Sequence, residues 1–182
     1  APAVGDLRVE PLSDSSSLIE GTISGGWAEP DLSVVGKTAN FVLESGEMSI
    51  GPFVDSWAWE LKLTPNAPID LDVDLAMGQA DIDLSGLDIS SLDVHMAMGR
   101  IEVALPDKGS FGAKVEGAIG EIVVVIPEGM AAKIAFDTGL AARQIPDSYG
   151  CAESVCTSAN YTGADNKVDL TVNLAIGSVV VR

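Results

Sequence analysis

Between Leu71 and Pro127, apolar and polar residues alternate, and the alternation slips at the same place in each of three copies. The copies read LDVDLAMGQADIDL, LDVHMAMGRIEVALP and AKVEGAIGEIVVVIP, with Gly78, Gly99 and Gly120 each 21 residues from the next. Alternation at period two is the signature of a strand. In the first copy the apolar positions are odd before Gly78 (Val73, Leu75, Met77) and even after it (Ile82, Leu84). A glycine at the slip can turn the chain with φ > 0 and let two short strands face one interior. The pattern therefore places Gly78, Gly99 and Gly120 in a column of strand corners, with Val73, Leu75 and Met77 pointing inward. A weaker fourth copy, KIAFDTGLAARQIP, has Ala141 in the glycine slot. A fifth, LTVNLAIGSVVVR, carries Gly177, 36 residues on, which is one repeat of 21 plus an insertion of 15.

Aligned by repeat, Val73, Val94, Val115, Phe136 and Val172 form one apolar column, and Met77, Met98, Ile119, Leu140 and Ile176 another. Sequential copies of about 20 residues indicate a solenoid, and too little chain separates them for crossover helices. The expectation is an all-β fold, a single-stranded parallel β-helix with an irregular N-terminal region and turns stacked in chain order. An antiparallel sandwich with coincidental internal similarity is the competing reading. Residues 1–31, rich in Gly, Ser, Pro and Asp, read as an extended arm and loops; 32–182 form the solenoid domain, with a loop insertion at about 147–167. Trp57, Trp59, Leu61 and Leu63 should share one face and cap the first regular turn. The last turn would end in an open strand at 178–182, where a second chain could add a strand.

Charge narrows the partners. Ten basic residues stand against 27 acidic ones, a net charge of −17. Nucleic acid and anionic membrane both require a basic footprint, so neither is expected to bind directly. Apolar residues make up 47% of the chain, enough for a core, with no run long enough to span a membrane. No charged-then-apolar leader opens the chain, so a targeting segment is expected to be absent or removed. Cys151 and Cys156, in the insertion, suggest a disulfide-closed loop and an oxidising, extracytoplasmic compartment. Asn160-Tyr161-Thr162 fits a glycosylation sequon.

No position stands out as catalytic. Asp70, Asp72, Asp74, Asp81 and Asp83 lie on outward positions and read as a solvated acidic face more readily than as a calcium site. Asp74, His95, Glu116 and Asp137 would stack in one outward column, without a nucleophile, an oxyanion site or a metal set. No cofactor, metal or catalytic residue is assigned, and the chain is expected to be no enzyme. A carbohydrate-active β-helix enzyme is the remote alternative. The third copy differs: Ile122–Ile126 is apolar on both faces. An outer patch of Val123, Val125, Val180 and Val181 must be covered by the N-terminal arm, by the insertion or by a partner; cover within the chain is favoured, and an interface is the alternative.

Trp59-Glu60-Leu61-Lys62-Leu63, Pro68 before Leu71–Gly78, Ile82–Leu87, Val103-Ala104-Leu105-Pro106, Asp137-Thr138-Gly139, Tyr161 and the closing Ala175-Ile176-Gly177 form an ordered set. Over Trp57–Arg182 this set resembles the toast-rack domain at the C-terminal end of LiaF-like proteins of bacteria. The family's Gly-Ala-Gly step stands here as Ala-Met-Gly or Ala-Ile-Gly. The resemblance implies a β-helical module without catalytic residues, linked to envelope-stress regulation and usually joined to membrane helices; related domains look like adhesins. Taken together, these readings suggest a non-enzymatic module at the prokaryotic cell surface that binds a protein partner or itself. It would act in the stress response or, alternatively, as a secreted adhesin or filament subunit.

Overall fold

A computed structural model describes residues 3–13, 16–24, 28–45 and 57–182. Of the expected N-terminal arm, positions 1–2, 14–15 and 25–27 lie outside the described residues. The strands are β1 (Ala3–Pro11), β2 (Ile19–Ser24), β3 (Ala28–Val35), β4 (Thr38–Ser45), β5 (Ala58–Leu63), β6 (Pro68–Asp83), β7 (Asp88–Ala104), β8 (Ser110–Val125), β9 (Ala131–Gln144), β10 (Tyr149–Ala152), β11 (Val155–Ser158) and β12 (Lys167–Val181). One helical turn, Tyr161–Gly163, is the only helix among the described residues. The fold is all-β. One ten-stranded mixed sheet runs β10-β11-β9-β12-β8-β7-β6-β1-β5-β2, and β3 with β4 forms a separate hairpin.

The long strands are bent, as their connections require. β6 spans 16 residues, about 53 Å if straight. Four residues, 84–87, then return the chain to β7, which runs parallel to β6 with Ile69 beside Ile89 and Gly78 beside Gly99. A link that short reaches no more than about 18 Å, so β6 must fold back on itself. The bend falls at the glycine, where Gly78, Gly99, Gly120 and Gly177 have φ of 142°, 143°, 145° and 140°, a region closed to residues with a Cβ. Space also requires glycine. A Cβ on Gly99 would lie 1.9 Å from the Gly78 carbonyl oxygen, and one on Gly120 would lie 1.8 Å from that of Gly99. The column extends to Gly5 in β1 (φ 146°), which pairs with Gly78. At the other end, Ala141 holds the slot beside Gly177 without a positive φ.

The copies do not stack in chain order, and a regularly wound single-stranded β-helix is not what forms. β7 lies between β6 and β8, but β12 enters between β8 and β9, paired in parallel with both. Residues 178–180 therefore have a strand on each side, and the open C-terminal edge expected from the sequence does not exist. Insertion of β12 also accounts for the apolar run of the third copy, since Ile122 and Val124 face the core and Val123 is buried on the other side. The N-terminal segment contributes a layer as well. β1 lies between β6 and β5, and its Leu7 and Val9 continue the inward columns of Ala80 and Ile82. Trp59 and Leu63 of β5 are buried in the same core, with Trp57 and Leu61 packed against it.

The two ends of the stack are closed differently. At one end β2 pairs antiparallel with β5. At the other, the β10–β11 hairpin covers β9 at 133–135. Past the corner, Arg143 occupies the inward column beside buried Val179, with its guanidinium over the Phe136 ring at 5.5 Å. A charged side chain at an inward position on an edge strand opposes further pairing.

Replacing Gly99 by Ala or Val should lower stability by at least about 2–4 kcal/mol, because Cβ overlap adds to backbone strain. Gly86, a turn glycine with φ 75°, faces open space: a Cβ there would meet nothing within 4 Å. Gly86→Ala should cost only about 1 kcal/mol. Urea unfolding of the two alanine variants compares them directly; equal losses would contradict the close-contact account.

Candidate functional site

The most unusual surface lies at the corner itself. Met77, Met98, Ile119, Ile176 and Leu140 are neighbours in successive layers, with Val4 beside Met77 at the β1 end. The alternation placed them inward, but they are 48%, 42%, 45%, 48% and 82% exposed. The bend explains the difference. Leu75 and Ala80 are buried on either side of it, five residues apart, so the residues between them round the outside of the corner and belong to neither inward face. The layer triplets are Ala76-Met77-Gly78, Ala97-Met98-Gly99, Ala118-Ile119-Gly120, Ala175-Ile176-Gly177 and Gly139-Leu140-Ala141. No charged or hydrogen-bonding side chain interrupts this strip.

The valine patch has another fate. Val123 is 2% exposed and Val181 lies in the core, while Val125 and Val180 are half-buried. These residues do not offer a free interface. Val180 does neighbour Val123, as their shared column suggested, and the cover comes from the same face of the chain. Arg182, at the end of β12, forms an ion pair with Glu102 of β7. β8 lies between those strands, so the side chain must cross it beside Val123 and Val125. Arg100 bonds both Glu121 and Glu102, the latter at 2.6 Å, and completes a four-residue network. Hydrogen bonding from Arg100, followed by the charge of Arg182, holds the Glu102 carboxyl below the usual carboxylate range.

The outward acidic column is interrupted. Asp74 and His95 adjoin, with Asp74 Oδ1 and His95 Nδ1 3.2 Å apart, and Glu116 follows, but Asn173 separates it from Asp137. Lys114 donates to Glu116 at 2.6 Å and Asn173 donates from the other side; these bonds, Lys114 first, lower the Glu116 pKa. Among the described residues, no group of three or more His, Cys, Asp or Glu is arranged to hold a metal ion. Two small cavities, one beside Met96 and Ile122 and one beside Val4 and Trp59, are each about 10 Å³, close to the smallest space that holds one water.

Cys151 and Cys156 face each other across the β10–β11 hairpin and are bonded. Cys156 is buried against the core beside Ile134. The expected insertion at 147–167 thus holds this hairpin and the helical turn, where Asn160 is exposed and Tyr161 Oη donates to Asp169 at 2.7 Å.

Bent strands stacked on a glycine column, with a mixed sheet and, among the described residues, no helix beyond one turn, define a toast-rack class of all-β protein. The chain belongs to the family described as the N-terminal domain of toast_rack, DUF2154, whose model matches residues 2–125. That span begins within the N-terminal segment, whereas the sequence resemblance began at Trp57. A solved structure of a candidate cell adhesion protein from Clostridium sporogenes ATCC 15579 has the same fold, with a TM-score of 0.85 and 20% identity over 98% of this chain and 87% of that one. No curated protein matches the chain. Among the described residues, no helix is long and apolar enough to cross a membrane.

The ion pairs and the disulfide can be tested separately. Glu102 and Glu116 both have folded-state pKa values below the unfolded value of about 4.3. Their contribution to stability is therefore complete above that value and is lost as pH falls through the lower, folded values. Glu102→Gln should lower stability by no more than about 1 kcal/mol at neutral pH and low salt, and the difference from the parent should shrink as pH falls below the unfolded carboxylate value; urea titrations from neutral to acid pH read it.

The unreduced, denatured protein should show no free thiol. Changing both Cys151 and Cys156 to serine should cost about 2 kcal/mol, given so short a closed loop, and leave the rest of the sheet folded by circular dichroism.

Proposed function

We propose that this chain is a non-enzymatic binding module of the bacterial cell surface that acts by holding a protein partner. The observation that carries the reading is the corner ladder: a continuous apolar strip exposed across five layers of the main sheet. Patches of this kind mark protein interaction sites more often than they mark faulty packing. Family membership, the adhesion assignment of the fold relative and a disulfide suited to an oxidising compartment support a surface role. The resemblance to LiaF-like proteins supports a partner within envelope-stress regulation; the fold relative supports adhesion. Both depend on one protein-binding face, and the stacked bent strands serve as a short, rigid spacer presenting it.

Beads carrying the purified chain should adhere to cell-envelope preparations from the source organism. Adhesion should be abolished by protease treatment of the envelope and survive periodate oxidation of its glycans. Loss on periodate with survival of protease would assign the chain to carbohydrate binding and end the protein-partner reading.

A further inference from the structure

The ladder has a shape as well as a composition. Adjacent parallel strands lie about 4.8 Å apart, so five layers make a strip roughly 20 Å long with one large side chain at every step. Alanine and glycine flank that ridge on both sides in each layer, so the large side chains stand above small neighbours. The exposed side chains present on the order of 400–500 Å², the size of the largest patch on an ordinary monomer, which is often functional.

Two features select the occupant. The first is spacing. Alternate side chains of an extended strand laid along the ridge recur at about 6.6 Å, out of step with the layers. Successive turns of an α-helix recur every 5.4 Å, close enough to stay in step over four or five layers. A strip of 20 Å corresponds to about 13 residues of helix, an ordinary length. The second feature is charge. Two residues before each alanine column stand Asp74, Glu116 and Asp137, with His95 and Asn173 between them. Beyond the glycines, Arg100 is taken up by Glu102 and Glu121. Glu116 is likewise taken up by Lys114 and Asn173, so among the described residues Asp74 and Asp137 are the bordering carboxylates without a Lys or Arg partner, on a chain whose net charge is −17.

We infer that the ridge from Met77 to Leu140 is the docking surface for a basic amphipathic α-helix of a partner protein, its apolar stripe along the ridge and its Lys or Arg side chains over the flanking carboxylates. The inference rests on the protein-binding reading above and adds the partner's chemistry. A second copy fits poorly. It carries the same negative charge, and among the described residues it has no helix beyond one turn. Its exposed β3–β4 hairpin, with Leu32, Val34 and Phe41 on one face, also carries Asp31 and Glu44. A lipid surface fits poorly too, since the strip lacks the aromatic and cationic residues that anchor a protein at a bilayer.

The test uses three fluorescent 15-residue peptides: a Leu/Lys helix with leucines at i, i+3, i+4 and i+7, its scrambled isomer, and a Leu/Glu counterpart. Anisotropy at 150 mM salt should show the Leu/Lys helix binding at least tenfold more tightly than the scramble, with no binding of Leu/Glu. Met98→Ser with Ile119→Ser, or independently Met77→Ser with Ile176→Ser, should weaken binding at least tenfold with the thermal midpoint unchanged. Asp74→Asn with Asp137→Asn should weaken it several-fold and flatten its salt dependence. Equal binding of the scramble, or full binding by both serine variants, would overturn the assignment. So would self-association in sedimentation that the serine variants abolish, or ridge-dependent binding to phosphatidylcholine vesicles. Bead adhesion separates the two levels: if the serine variants still adhere to envelope, only the ridge assignment falls, whereas a parent chain that never adheres removes the general reading.

Discussion

The close contact of glycine backbones at the corner is the constraint on which the rest of the structure depends. Each carbonyl in the column sits where the next layer would otherwise place a Cβ; Gly5 stands in this relation to Gly78, as Gly120 does to Gly177. That contact lets strands of 15 to 17 residues bend sharply and still pair in register on both arms. With a side chain on one of these positive-φ glycines, the layers would have to separate, and the ladders of both arms would lose hydrogen bonds together; Ala141, at the end of the column, has no positive φ and pairs with Gly177 in register. The contact is thus local in geometry but global in effect. It also fixes what lies outside the bend, because a corner so tight leaves its middle residue no interior to enter.

Intercalation of β12 is the second organising event. Leu170, Val172, Leu174 and Val179 fill the interior between β8 and β9, while Arg182 reaches across β8 to Glu102. The chain must therefore complete β9 and the β10–β11 hairpin before the middle of its own sheet can form. A stack closed by its last strand has a high proportion of contacts between residues distant in sequence, which slows folding relative to a solenoid built turn by turn. The compensation is that the C-terminal strand is an interior strand, and the edge it would have exposed is replaced by one blocked by the hairpin and by Arg143.

Much of this was legible in the residues. Alternation with a slip at Gly78, Gly99, Gly120 and Gly177 identified the strands, their bends and their parallel register. The spacing of Cys151 and Cys156 indicated their pairing. The order of layers was not legible, because every copy offers the same columns to its neighbours: Val172 stacks as well on Val115 as on Phe136, and in the structure it does both. β1 escaped notice for a related reason. Val4-Gly5-Asp6-Leu7-Arg8-Val9 is half a copy, too short to register as a repeat. The Met77 column was misplaced because period-two reasoning assumes a strand that continues straight, and it assigns every residue to one of two faces. At a tight corner there is a third direction.

That third direction makes the ladder informative about function. A residue on the convex side of a bend contributes little to the core, so folding alone would tolerate a polar side chain there. Yet in all five layers the position holds Met, Ile or Leu, beside only Ala and Gly, in a chain with 27 carboxylates. Neighbouring columns on the outward faces carry Asp, Glu, Arg, His and Asn. Folding thermodynamics has no use for an unbroken apolar strip in water, which lowers solubility and adds nothing to the interior. The strip is intelligible only if something removes it from water, and the acidic borders restrict what that can be. The same glycines that allow the strands to bend therefore also determine where the molecule can be held.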